Sequence, residues 1–88
     1  MVWQIEFSPK ADKNFEKLDR QAKKKITVYL RDKVAFLENP RSRGEGLTAN
    51  KAGLWRYRVG DYRIICQIID DRLVILVIEA GHRRDIYK

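Results

Sequence analysis

Leu54-Trp55-Arg56-Tyr57-Arg58-Val59-Gly60-Asp61-Tyr62-Arg63 reads as an alternating strand, a two-residue turn and the start of a second strand. Side chains alternate faces along a strand, so Arg56 and Arg58 share one side while Trp55, Tyr57 and Val59 share the other. A tight hairpin through Gly60-Asp61 pairs Val59 with Tyr62, and therefore Arg58 with Arg63. Like charges set opposite one another destabilise a sheet. Crowding Arg56, Arg58 and Arg63 onto one patch points to an anionic ligand.

Downstream of this hairpin, strands are predicted over 62–69 and 73–80, joined near Asp70-Asp71. Both are apolar on both faces (Ile64, Ile65, Ile68, Ile69; Leu73 to Ile78), as in central strands covered on two sides. Upstream, residues 40–53 are polar and carry Pro40 and glycines 44, 46 and 53, which predicts a surface loop. Before the loop, Ala22, Ile26, Tyr29, Leu30, Lys33 and Leu37 recur at helical spacing and predict a helix over about 20–37, ended by Asn39-Pro40. A shorter helix with Ala11, Phe15 and Leu18 on its apolar side is opened by Ser8-Pro9, a capping serine followed by a proline at the first helical position. Trp3, Ile5 and Phe7 alternate in a first strand over 2–7. The predicted fold class is α+β in the order β-α-α-β-β-β. A helical hairpin packs on one face of a small, mainly antiparallel sheet, and residues 1–88 form a single domain.

The chain has 88 residues, 44% hydrophobic and 35% charged, which suits a small globular domain. No apolar run approaches the ~20 residues of a membrane span, and the alternating N-terminus lacks the regions of a signal peptide. A cytoplasmic protein with no membrane association is predicted. Cys66 is the only cysteine, so no internal disulfide and no zinc cluster are expected. Net charge is +7, from 19 Lys+Arg against 12 Asp+Glu, which favours a polyanionic partner. The excess is spread along the chain, so any asymmetry must come from folding.

The ending Gly81-His82-Arg83-Arg84-Asp85-Ile86-Tyr87 is dense in reactive side chains. Gly81 is expected to break the strand ladder and redirect the chain, delivering His82, Arg83 and Tyr87 toward Arg56, Arg58 and Arg63. Guanidiniums hold a phosphate bidentately and stabilise a pentavalent transition state. Tyr87 can stack on a base or orient a hydroxyl. His82 is the side chain that ordinarily titrates near neutral pH. No carboxylate pair for two-metal catalysis stands out, because Asp70-Asp71 falls at a turn. Lys23-Lys24-Lys25 reads as a solvated helix face.

Taken in order, these strands, the Tyr62-Arg63 pair after the turn and the Gly-basic-Arg…Tyr ending resemble the RelE/ParE superfamily of bacterial toxins, most closely its RelE-type members, over essentially the whole chain. The resemblance implies a toxin of a type II toxin–antitoxin system. Such a toxin is an endoribonuclease that enters the ribosomal A site and cleaves mRNA without a metal or other cofactor. The 2′-hydroxyl attacks the adjacent phosphate, leaving a 2′,3′-cyclic phosphate and a 5′-hydroxyl. It also implies a cognate RelB-like antitoxin, whose complex with the toxin binds operator DNA through the antitoxin. The alternative within the superfamily is a ParE-like gyrase inhibitor without nuclease activity. Residue by residue, Arg56 and Arg58 match the two basic strand positions, Arg63 the phosphate-contacting arginine, Arg83 the arginine near the end and Tyr87 the terminal tyrosine. Some RelE toxins carry lysine at the strand positions, one as proposed general base. Arginine, with a pKa above about 12, accepts protons poorly, so His82 is expected to take over part of the proton transfer. Longer relatives carry a further helix after the matching tyrosine, while this sequence ends at Lys88.

Overall fold

A computed structural model describes residues 2–86 of the chain, with side chains through Arg84. The α+β class and the helical hairpin on one sheet face are as expected, and the sheet has five strands. In chain order these are β1 (Gln4–Phe7), α1 (Pro9–Glu16), α2 (Arg20–Val28), β2 (Glu45–Gly46), β3 (Trp55–Val59), β4 (Tyr62–Ile69), β5 (Val74–His82) and a short helix α3 (Arg83–Ile86). The strand order is β1-β5-β4-β3-β2. Only the β1–β5 pair is parallel; the others run antiparallel.

Both helices begin as their sequences dictate. Ser8 Oγ accepts from Ala11 N at 3.1 Å, and Asp19 Oδ1 accepts from Ala22 N at 2.8 Å. The second helix departs from expectation. It is regular only to Val28, continues as a π-type turn over Tyr29–Lys33 and closes in a 3₁₀ turn over Val34–Phe36. Widening the turn rotates the following residues about the axis. Lys33 therefore leaves the apolar stripe for solvent, and Val34 takes the core position.

The core lies between the helices and one sheet face, where Ala11, Ile26, Leu30 and Val34 meet Tyr57, Ile64, Cys66, Ile75 and Val77. Tyr57 closes one end, its buried hydroxyl donating to Pro40 O at 2.6 Å. Beside it, Arg41 forms a two-pronged pair with Asp70 at 2.9 and 3.0 Å, tying the 40–53 loop to the β4–β5 turn.

β4 and β5 are not paired evenly. Ile65 faces Glu79 and Cys66 faces Val77, leaving Ile78 as an extra residue in β5. This bulge reverses the facing of everything after it in β5. Helix α1 satisfies the disturbed backbone: Ser8 Oγ donates to Ile78 O at 3.0 Å, and Asn14 Oδ1 accepts from Ala80 N at 3.2 Å. Gly81 does not break the ladder as expected. It pairs with Arg63, and β5 continues to His82.

Candidate functional site

The hairpin places its arginines as their alternation requires. Val59 pairs with Tyr62 and Arg58 with Arg63, and Arg63 pairs in turn with Gly81. Paired residues share a face, so Gly81 presents only hydrogen beside the Arg63 side chain. Arg63 is 9% exposed, the one charged residue in the buried set among the described residues. Its Nη1 donates to Gly60 O and Tyr62 O, each at 3.2 Å. Its Nε is buried with no hydrogen-bond partner among the described residues. Burial lowers the Arg63 pKa, and so do the positive charges of Arg58, Arg56 and Arg83, against a small opposing pull from Asp61. All four arginines therefore share one electrostatic neighbourhood. Arg83 is anchored there by its backbone, with its N–H donating to Asp61 O of the hairpin turn at 2.8 Å.

Strand β2 adds a residue that the sequence reading missed. One Glu45 carboxylate oxygen accepts from Nη2 of both Arg56 and Arg58, the latter at 3.0 Å. The bonds from Arg56 and then Arg58 hold the Glu45 carboxyl below its ordinary range. Glu45 is aimed by its neighbours. Gly44 has φ +80°, and a Cβ there would collide with the Arg56 carbonyl and come within 2.8 Å of the Trp55 indole nitrogen. That nitrogen donates to Arg43 O at 2.7 Å, strapping the loop onto β3. A two-residue strand made of Glu45 and Gly46 carries no alternation to read. The available signal was that Glu45 is the sole carboxylate between Glu38 and Asp61, in a segment rich in arginine.

His82 is not brought to the arginines. It pairs with Tyr62 and shares that residue's face, the helical one, where the two rings meet edge-on at 5.6 Å. Asn14, Lys17 and Leu18 line the same depression. The bulge at Ile78 is the cause: it puts Gly81 on the arginine face and His82 on the other. His82 Nδ1 accepts from Arg84 N at 3.2 Å. Tyr87 lies outside the described residues. Lys24 and Lys25 are exposed and Lys23 half-buried. Cys66 is packed in the core, and burial pushes its thiol pKa up. Among the described residues no group of three or more His, Cys, Asp or Glu is placed to hold a metal ion, and no helix is long and apolar enough to cross a membrane.

A family profile described as the ParE toxin of the type II toxin–antitoxin system, parDE, matches residues 5–87. The chain belongs to this toxin family. It is a type II toxin of the RelE/ParE superfamily, and its fold is RelE-like. The RelBE2 toxin–antitoxin complex of Mycobacterium tuberculosis contains a chain similar to it at 20% identity and TM-score 0.85, over 94% of this chain and 93% of that one. The intact E. coli RelBE complex matches at 19% identity and TM-score 0.70, over 92% and 96%. The archaeal RelE–RelB complex of Pyrococcus horikoshii OT3 matches at 22% identity and TM-score 0.70, over 94% and 97%. No curated protein matches the sequence significantly.

Proposed function

We propose that this toxin is a ribosome-dependent endoribonuclease that cleaves mRNA in the A site through 2′-hydroxyl attack. The observation that carries the reading is the convergence of Arg56, Arg58, Arg63 and Arg83 about the hairpin, with the Arg63 Nε buried and unpartnered among the described residues. Such a cluster is built for an anion that gains charge during the reaction. As the 2′-oxygen bonds to phosphorus, the bond to the 5′-oxygen breaks and that oxygen leaves with a proton from water, while the guanidiniums stabilise the extra negative charge. Glu45 is the carboxylate bonded to this cluster, and it supplies the proton acceptor for the 2′-hydroxyl that arginines lack. Tyr87 is assigned, by resemblance, to orienting the nucleotide. No step calls for a cofactor. The proposed partners are a RelB-like antitoxin, which also carries the complex to operator DNA, and the ribosome with its mRNA.

The test is brief induction followed by mapping of mRNA 5′ ends. Cuts inside codons on translating ribosomes, absent from an R63Q strain, are expected. DNA damage without such cuts would instead support gyrase inhibition, the second reading, which the ParE description of the family favours.

A further inference from the structure

The cationic cluster divides into two unlike halves. Arg63 is buried, and its Nε faces no hydrogen-bond acceptor among the described residues. Arg56 and Arg58 share a single carboxylate oxygen of Glu45. That arrangement is the one a phosphate oxygen takes between two guanidiniums, a charge-assisted pair of N–H donors converging on one anionic acceptor. Glu45 is not a fixed part of the sheet interior. Its side chain is 48% exposed and sits on the outermost strand, so it can swing into solvent, whereas the Arg56 side chain is only 12% exposed. Against Arg56 the carboxylate is the more exposed member of the pair, while Arg58, 61% exposed, is able to follow whichever anion occupies the subsite.

We propose that Glu45 is an internal stand-in for phosphate, filling a subsite formed by Arg56 and Arg58 that an RNA phosphate enters by displacing it. RNA then meets an occupied subsite at Arg56 and Arg58, beside the buried Arg63. Displacement frees the carboxylate of both cations, and the proton acceptor is thus released only when the strand is in place. The proposal rests on the nuclease reading above and deepens it by assigning what each arginine does before substrate arrives.

Binding of a 2′-O-methyl oligoribonucleotide, which cannot be cleaved, separates this from catalysis. E45Q is expected to bind it more tightly, on the order of fivefold, because a competing exposed ion pair is removed. The affinity should also fall more steeply with salt. In the wild type Glu45 already neutralises the subsite. There the displaced carboxylate takes back a counter-cation as the phosphate sheds one; in the variant that offset is absent, adding up to about 0.7 to the slope of log K against log salt. E6Q is the control for net charge, since Glu6 lies on β1 at the far side of the sheet from β2. If E45Q and E6Q bind equally and with the same salt slope, Glu45 does not occupy the subsite. Weaker binding by E45Q would show that Glu45 positions the arginines for RNA, and would overturn the proposal as well. If neither the wild type nor E45Q binds the oligonucleotide while cuts on translating ribosomes are still mapped, this inference fails alone; if those cuts are absent too, the nuclease reading fails with it.

Discussion

Arg63 carries a full charge into a nearly buried position beside three other arginines, and its Nε meets no acceptor there among the described residues. Burying a charge without a counter-ion costs stability, and an apolar side chain of similar length often relieves that cost. R63M should therefore melt at an unchanged or higher temperature while mRNA cleavage falls about 10²-fold, the typical loss for one donor to a developing oxyanion. A large drop in melting temperature would show that the guanidinium is structural. The Arg58–Arg63 opposition was legible in the sequence, because a two-residue turn between alternating strands leaves one register available. The position of His82 was not. Leu73 to Ile78 is apolar at every residue, so no alternation marks the extra residue that turns His82 to the helical face. H82Q is accordingly expected to keep most of the cleavage that E45Q loses, measured on the same mRNA; a deeper loss in H82Q would return proton transfer to the histidine.

At the scale of elements, the bulge in β5 and the start of α1 depend on each other. Ser8 Oγ accepts from Ala11 N as a helix cap and donates to Ile78 O at the bulge. One hydroxyl thus serves a helix terminus and an irregular strand. S8A loses both bonds and should cost about 1–2 kcal/mol, the usual penalty for a lost cap with an unsatisfied group beside it. Urea unfolding reads this directly, and a change below a few tenths would detach the bulge from the cap. The helix starts were legible, since Ser8-Pro9 and Asp19 announce themselves by chemistry. The π-type turn at Tyr29–Lys33 was not, because spacing alone reads Lys33 as one more position on a uniform stripe. Strand β2 escaped for a different reason: two residues held by Gly44 and the Trp55 indole owe their place to tertiary contacts.

Across the whole molecule, one sheet face meets the helices and the other carries the cationic cluster, on a chain of net charge +7. Acid acts on both features. Glu45 and Asp70 are held below their ordinary ranges by bonds from Arg56 and Arg41 respectively. Burial works to raise Glu79, but the bonds from Lys10 and Lys51 outweigh it, so its pKa too is lowered. A depressed carboxyl contributes stability above its unfolded value and loses that contribution as pH falls through its folded one. Stability should thus hold from neutral pH down to about the ordinary carboxylate range near 4, then fall as these groups take protons and positive charge accumulates. Melting temperature followed from pH 7 to 3 checks the curve, and E79Q should flatten its acid limb. A melting temperature that rises on acidification contradicts the sign.

The parallel pairing of β1 with β5 has a consequence in time. The first strand of the sheet finds its partner only at Val74–Val77, so this one pairing is distant in sequence and closes late, whereas β3–β4 and β4–β5 are local hairpins. At a synthesis rate of about 5–20 residues per second, the N-terminal strand waits on the order of several seconds for its partner to be made. Arg83 follows that partner directly, so the cationic cluster is assembled after nearly all of the sheet has been synthesised. The cationic cluster of a nascent chain lacks Arg83 for as long as β5 is missing.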